Sequence, residues 1–111
     1  MEISEHQSGE ALVLTCNGRL DYHGAETFRL VAEKHIADGC RFLIVDFQSI
    51  NFLASMGIRA IVLPAQKMTQ AGGRFCVIRL AESARGVFAL AGLDKIFPIY
   101  DDEASAQAAV S

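Results

Sequence analysis

The feature that most narrows the fold is a change of hydrophobic period between Arg41 and Ala71. Phe42-Leu43-Ile44-Val45 is a short unbroken apolar run with β-branched members, closed by Asp46 and Phe47. Such a run reads as a strand buried on both faces. After Ser55 the apolar residues Ile58, Ile61, Val62, Ala65 and Met68 recur at spacings of three and four, which is one face of a helix. The spacing predicts a central strand from Arg41 to Phe47, a loop from Gln48 to Ala54, and a helix from Met56 to about Gln70. Ser55 then stands where a central strand hands over to a helix, the place where open α/β sheets take ligands or partners.

The rest of the chain supplies neighbours for that strand. Met1 to His6 and Ala11 to Asn17 read as a hairpin across the turn Gln7-Ser8-Gly9-Glu10, and Gly18 to Asp21 as a loop. A helix is expected from Gly24 to about Ala37, with Ala25, Phe28, Val31, Ala32 and Ile36 facing the core and Asp38-Gly39 stopping it. Arg74 to Leu80 is a further strand. Glu82 to about Ala91 is a helix with Ala84, Val87, Phe88 and Ala91 inward. Phe97 to Tyr100 is a short strand, and Asp101 or Asp102 caps a final alanine-rich helix. Pro64, inside the second helix, is expected to kink it. The order ββαβαβαβα implies right-handed parallel crossovers and one antiparallel partner, a mixed sheet in a single α/β domain over residues 1–111. Leu43, Ile44, Val45, Ile61, Phe75, Val77 and Phe88 are the expected core.

Composition excludes several functions. Apolar residues are 51% of the chain, yet no stretch approaches the length that crosses a bilayer, and the acidic start Met1-Glu2-Ile3-Ser4-Glu5 has no signal core. The expectation is a cytoplasmic protein with no membrane insertion. Cys16, Cys40 and Cys76 are odd in number and read as reduced thiols. Neither they nor His6, His23 and His35 have metal-ligand spacing, so no metal or other cofactor is expected. The net charge of −3 is segregated: no acid falls between Asp46 and Glu82, a span that carries Arg59, Lys67, Arg74 and Arg79. Four cations without interleaved aromatics do not make a nucleic-acid surface, so no direct nucleic-acid partner is expected. The segregation reads either as chance with a solvated basic face or as a surface around Ser55 that tolerates negative charge nearby.

Ser55 itself is expected to be the N-cap of the second helix, its hydroxyl accepting from the amide of Gly57 or Ile58. The capping-box position is Ile58, so no carboxylate competes for those amides. Arg59 lies four residues on, and free amides near Gly57 would suit a phosphate. A nucleophilic serine is disfavoured. The nucleophile elbow needs a glycine where Leu53 stands, and all three histidines precede Ser55. There is no dinucleotide fingerprint or Walker motif. The residues predict a binding protein and not an enzyme.

Gly18-Arg19-Leu20-Asp21, Phe42 to Phe47, Phe52-Leu53-Ala54-Ser55-Met56-Gly57-Ile58 and Ala91-Gly92-Leu93-Asp94-Lys95-Ile96-Phe97, in this order and spacing, resemble the STAS family. That family comprises the bacterial anti-sigma factor antagonists and related domains of sulfate transporters. The resemblance implies a four- or five-stranded sheet with helices on one side, and no enzymatic activity. It implies binding to an anti-sigma factor serine kinase, release of a sigma factor, inactivation by phosphorylation at Ser55 and reactivation by a serine phosphatase. It places the kinase-binding surface on the loop around Asp21 and on the second helix with the residues that lead into it, so that Asp21, Leu53, Ala54, Met56, Gly57 and Arg59 become the contact residues. The family commonly reads Asp-Ser-Ser-Gly or Asp-Ser-Thr-Gly at the acceptor. Here Ala54 replaces the acid and Met56 the second hydroxyl. A STAS scaffold subunit of a transporter or signalling complex, without a phosphate cycle, is the alternative.

Overall fold

The structure is a computed structural model. It describes residues 1–110, apart from the side chains of Ser55, Met56, Ser83 and Val110. The described elements follow the expected order: β1 (Glu2–Ser8), β2 (Ala11–Leu20), α1 (Tyr22–Ala37), β3 (Phe42–Leu53), α2 (Ser55–Gln70), β4 (Arg74–Ile78), α3 (Glu82–Leu90), β5 (Ile99–Tyr100) and α4 (Glu103–Val110). A single 3-10 turn, Leu93–Lys95, separates α3 from β5. The strands lie in one sheet in the order β1-β2-β3-β4-β5, with β3 at its centre. β1 runs antiparallel to β2, and every other neighbouring pair is parallel. Gly9, at φ 62°, turns the two-residue hairpin between Ser8 and Ala11, a left-handed conformation that costs glycine little.

Alternation along β3 divides the core. Leu43, Val45 and Phe47 pack on the face covered by Phe28 and Ala32 of α1, Ile61, Ala65 and Met68 of α2, and Phe88 of α3. The rings of Phe28, Phe47, Phe88 and Phe97 follow one another at centroid distances of 5.9, 6.5 and 6.2 Å. Phe42 and Ile44 point the other way, onto Val13, Cys76, Ile78 and Ala106 of α4. All seven residues expected in the core are buried. α1, α2 and α3 share one side, as the resemblance implied, whereas α4 covers part of the opposite face.

Two strands are longer than their apolar runs. β2 continues through the expected loop to Leu20. β3 continues through Gln48 to Leu53, nearly all of the loop expected from Gln48 to Ala54. The extensions pair with each other, Asn17 with Ser49, Gly18 with Ile50, Arg19 with Phe52 and Leu20 with Leu53. Backbone pairing there replaces the hydrophobic pattern as the organising force. β4 stops earlier, at Ile78, beside Asp46. Arg79 then adopts φ 55°, uncommon for a non-glycine residue, and its Nη1 donates to Oδ2 of the buried Asp46 at 2.9 Å. Asp46 Oδ1 accepts from the Gln48 amide at 2.9 Å. The ion pair thus fixes the point where β4 leaves the sheet and β3 goes on. Val87, expected inward on α3, is 38% exposed, and Ala91 is exposed past the end of that helix.

Candidate functional site

The paired ends of β2 and β3 deliver two helix starts to one edge of the sheet. Leu20 pairs with Leu53, so Asp21 and Ala54 are the next residues on adjacent strands. The Ala54 amide donates to the Leu20 carbonyl at 3.2 Å, tying the second start to the first. Asp21 is the N-cap of α1, and its Oδ1 accepts from the Gly24 amide at 3.0 Å. That bond, with Arg19 at 3.5 Å, holds the Asp21 carboxyl below the usual aspartate range. The Arg19 guanidinium also lies over the Phe52 ring, 4.1 Å from its centroid, and Phe52 is 41% exposed.

The second start departs from expectation. Ser55 is the first helical residue of α2 and not its cap. The cap is Ala54, whose side chain makes no capping bond. The Ala54 carbonyl collects the amides of Gly57 at 2.9 Å and Ile58 at 3.2 Å. The Gly57 amide is therefore not free for a phosphate, because the helix begins one residue earlier and its first carbonyl already holds that donor. The first turn carries no acidic residue. Gly57 is buried, and a Cβ there would lie 2.4 Å from the Leu20 carbonyl oxygen and 2.7 Å from Leu20 Cγ.

Asp21, Leu53, Ala54, Gly57 and Arg59 thus fall on one edge of the molecule. Leu53 and Ala54 are half-buried and Arg59 is exposed. The side chains of Ser55 and Met56, the acceptor and its neighbour, lie outside the described residues, while their backbone opens α2. Two grooves flank this start. One, about 290 Å³, runs between the free end of β3 (Ile50, Phe52, Leu53) and α3 (Ala84, Val87). The other, about 190 Å³, lies between α1 and α2 and is lined by Tyr22, Glu26, Arg29, Arg59 and Leu63. The sequence reading missed Tyr22 and Leu63. Their signal was present for Leu63, which lies off the buried stripe of α2 and is 42% exposed.

Burial pushes the thiols of Cys16 and Cys76 up to about 12, the charge of Asp46 adding to the shift at Cys16, which favours the protonated form of both. Among the described residues no cluster of His, Cys, Asp and Glu could hold a metal ion, and no helix is long and apolar enough to cross a membrane.

Residues 2–106 match the family model described as the STAS domain. An anti-sigma F factor antagonist of Paenibacillus polymyxa is 28% identical over 103 residues, covering 92% of this chain and 87% of that protein. The crystal structure of an anti-sigma factor antagonist from Mycobacterium paratuberculosis is similar with a TM-score of 0.88 at 26% identity, over 98% of this chain and 92% of that one. The Bacillus cell fate determinant SpoIIAA in its phosphorylated form is similar with a TM-score of 0.76 at 22% identity, over 99% and 100%.

Proposed function

This chain belongs to the STAS domain family, and on that premise we propose that it is an anti-sigma factor antagonist that binds an anti-sigma factor serine kinase, frees the sigma factor, and is switched off by phosphorylation of Ser55. Antagonists of this type are regulatory binding proteins and not enzymes. The relatives' names supply the partner class, and one relative is described in a phosphorylated form.

The observation that carries the switch is the start of α2. Ser55 is its first residue, at the C-terminal edge of the parallel strands, in a first turn with no acid and no side-chain cap. A phosphoryl group there adds about −1.5 to −2 charges where the helix dipole favours them. The fold has no cause to change, but the docking surface does. An edge with half-buried Leu53 and exposed Phe52 gains a dianion that must be desolvated or paired when a partner covers it. A serine phosphatase would restore binding.

Ser55→Asp should fold normally and bind the anti-sigma factor at least tenfold more weakly, about 1.4 kcal/mol. Ser55→Ala should bind and fail to be switched. Titration calorimetry decides it, and equal affinities for the wild type and both variants would sink the switch. Ala54, standing where the family commonly has an acid, favours a second reading, a scaffold subunit that clamps its partner without a phosphate cycle. Equal affinities would leave that reading in place.

A further inference from the structure

The groove between α1 and α2 has an uncompensated charge. Of its two cations, Arg29 is fully engaged: Nε donates to Glu26 Oε1 at 2.9 Å, Nη2 to Glu26 Oε2 at 3.1 Å and Nη1 to Glu33 Oε2 at 2.6 Å. Glu33 also takes Lys67 of α2. These two acids and two cations neutralise one another, which removes Glu26, the acid lining the groove, from the account. Arg59 has no hydrogen-bond or ion-pair partner among the described residues and is exposed. Neither α1 nor α2 carries an acid in its first turn. Beside Arg59 stand two large side chains left in water, Tyr22 at 57% exposure and Leu63 at 42%.

An unpaired guanidinium flanked by apolar surface complements a segment that presents a carboxylate next to apolar side chains. Arg59 has a second suitor. It lies four residues after Ser55 on the same helix, and residues at that spacing are neighbours on the helix surface. We propose that Arg59 is the switch cation of this edge: with Ser55 unmodified it holds a carboxylate of the docked partner segment, and with Ser55 phosphorylated the phosphoryl group captures it. This rests on the reading of Ser55 given above. Phosphorylation then weakens docking in two ways, by adding a dianion and by withdrawing the cation that the partner's acid needs.

Two measurements on the full chain test the two halves. The first needs no partner. In protein carrying phosphoserine at position 55, a phosphorus NMR titration reads the second ionisation of the phosphoryl group. Arg59→Gln should raise it by about 0.2 to 0.7 pH unit, the range for a partly exposed ion pair. No change overturns the capture. The second uses the peptide acetyl-Leu-Glu-Leu-Glu-Leu-amide and its Gln counterpart at millimolar concentration, read by amide shifts. The Glu peptide should shift the amides of Tyr22, Arg59 and Leu63 and lose about two- to fivefold in affinity with Arg59→Gln. Phosphoserine at 55 should weaken it at least as much. No shift, equal shifts with the Gln peptide, or indifference to phosphoserine overturns the proposal. None of these outcomes reads the calorimetric effect of Ser55→Asp on the anti-sigma factor, so that reading and this one fail separately.

Discussion

α1 and α2 start side by side at one edge of the sheet, and they start by different means. α1 is capped by a side chain, the Asp21 carboxylate on the Gly24 amide. α2 is capped by backbone alone, its cap residue Ala54 donating to the Leu20 carbonyl and accepting from Gly57 and Ile58. Both first turns press a glycine against the end of β2. A Cβ on Gly24 would lie 1.9 Å from the Arg19 carbonyl oxygen, and one on Gly57 2.4 Å from that of Leu20. The shared device is close packing, and the difference is charge. The start that keeps a carboxylate is set for structure. The start that lacks one has no side-chain cap and no acid in its first turn, which is what the proposed phosphorylation of Ser55 requires.

The packing is the larger effect. Gly57→Ala and Gly24→Ala should each cost about 1 to 3 kcal/mol, because a backbone carbonyl cannot step aside. Gly86, inside α3, is the control: nothing lies within reach of a Cβ there, so Gly86→Ala should stabilise by about 0.5 to 1 kcal/mol. Denaturant unfolding of the three variants measures all of this. Should Gly57→Ala match Gly86→Ala, α2 is not wedged against β2 and the two starts do not share a device.

The next effect is smaller and opposite in sign. Ala54 has the extended backbone of a cap, φ −101° and ψ 163°, without a capping side chain. Ala54→Ser should stabilise the fold by about 0.5 to 1 kcal/mol in the same unfolding measurement. No gain would mean that the Leu20 bond and the Gly57 contact already saturate this start.

The contrast between the starts was only half legible in the sequence. Phe42 to Val45 announced the central strand because burial on both faces demands unbroken apolar residues, and that is a local pattern. Gln48 to Leu53 did not announce itself, since that half of β3 is largely exposed and held by pairing with β2, a partner distant in the chain. Asp21 was visible as an acid near a helix start. Serine's strong capping preference drew the second cap to Ser55, one residue late. What moved it is the Ala54–Leu20 bond, a tertiary contact with no sequence signature. The wedges at Gly24 and Gly57 were invisible for the same reason. Val87 fitted the period of α3, but the groove beside β3 leaves it open. α4 went to the far face because Ala106 fits over Ile44 and Ile78, which alternation alone could not assign to a particular helix.

The smallest effect is the sharpest test of side-chain against backbone capping. Asp21 has its pKa lowered in the folded protein, first by the Gly24 amide and then by Arg19 and His23. A carboxyl depressed on folding contributes stability that is fully present above its unfolded value, roughly 3.9 for aspartate. The contribution is lost as pH falls from there through the lower folded value. Over that window the Gly24 amide loses its acceptor, so its proton shift should titrate with the Asp21 carboxyl. The Gly57 amide is held by the Ala54 carbonyl, which has no proton to gain, and should stay flat. Asp21→Asn should abolish the Gly24 titration while still offering an acceptor oxygen to that amide. An NMR pH titration of the two glycine amides reads both starts in one experiment. If Gly57 moved in step with Gly24, the starts would be coupled through Leu20, whose carbonyl and side chain meet α2 directly beside the α1 cap. The division between a structural start and one without a side-chain cap would then have to be given up.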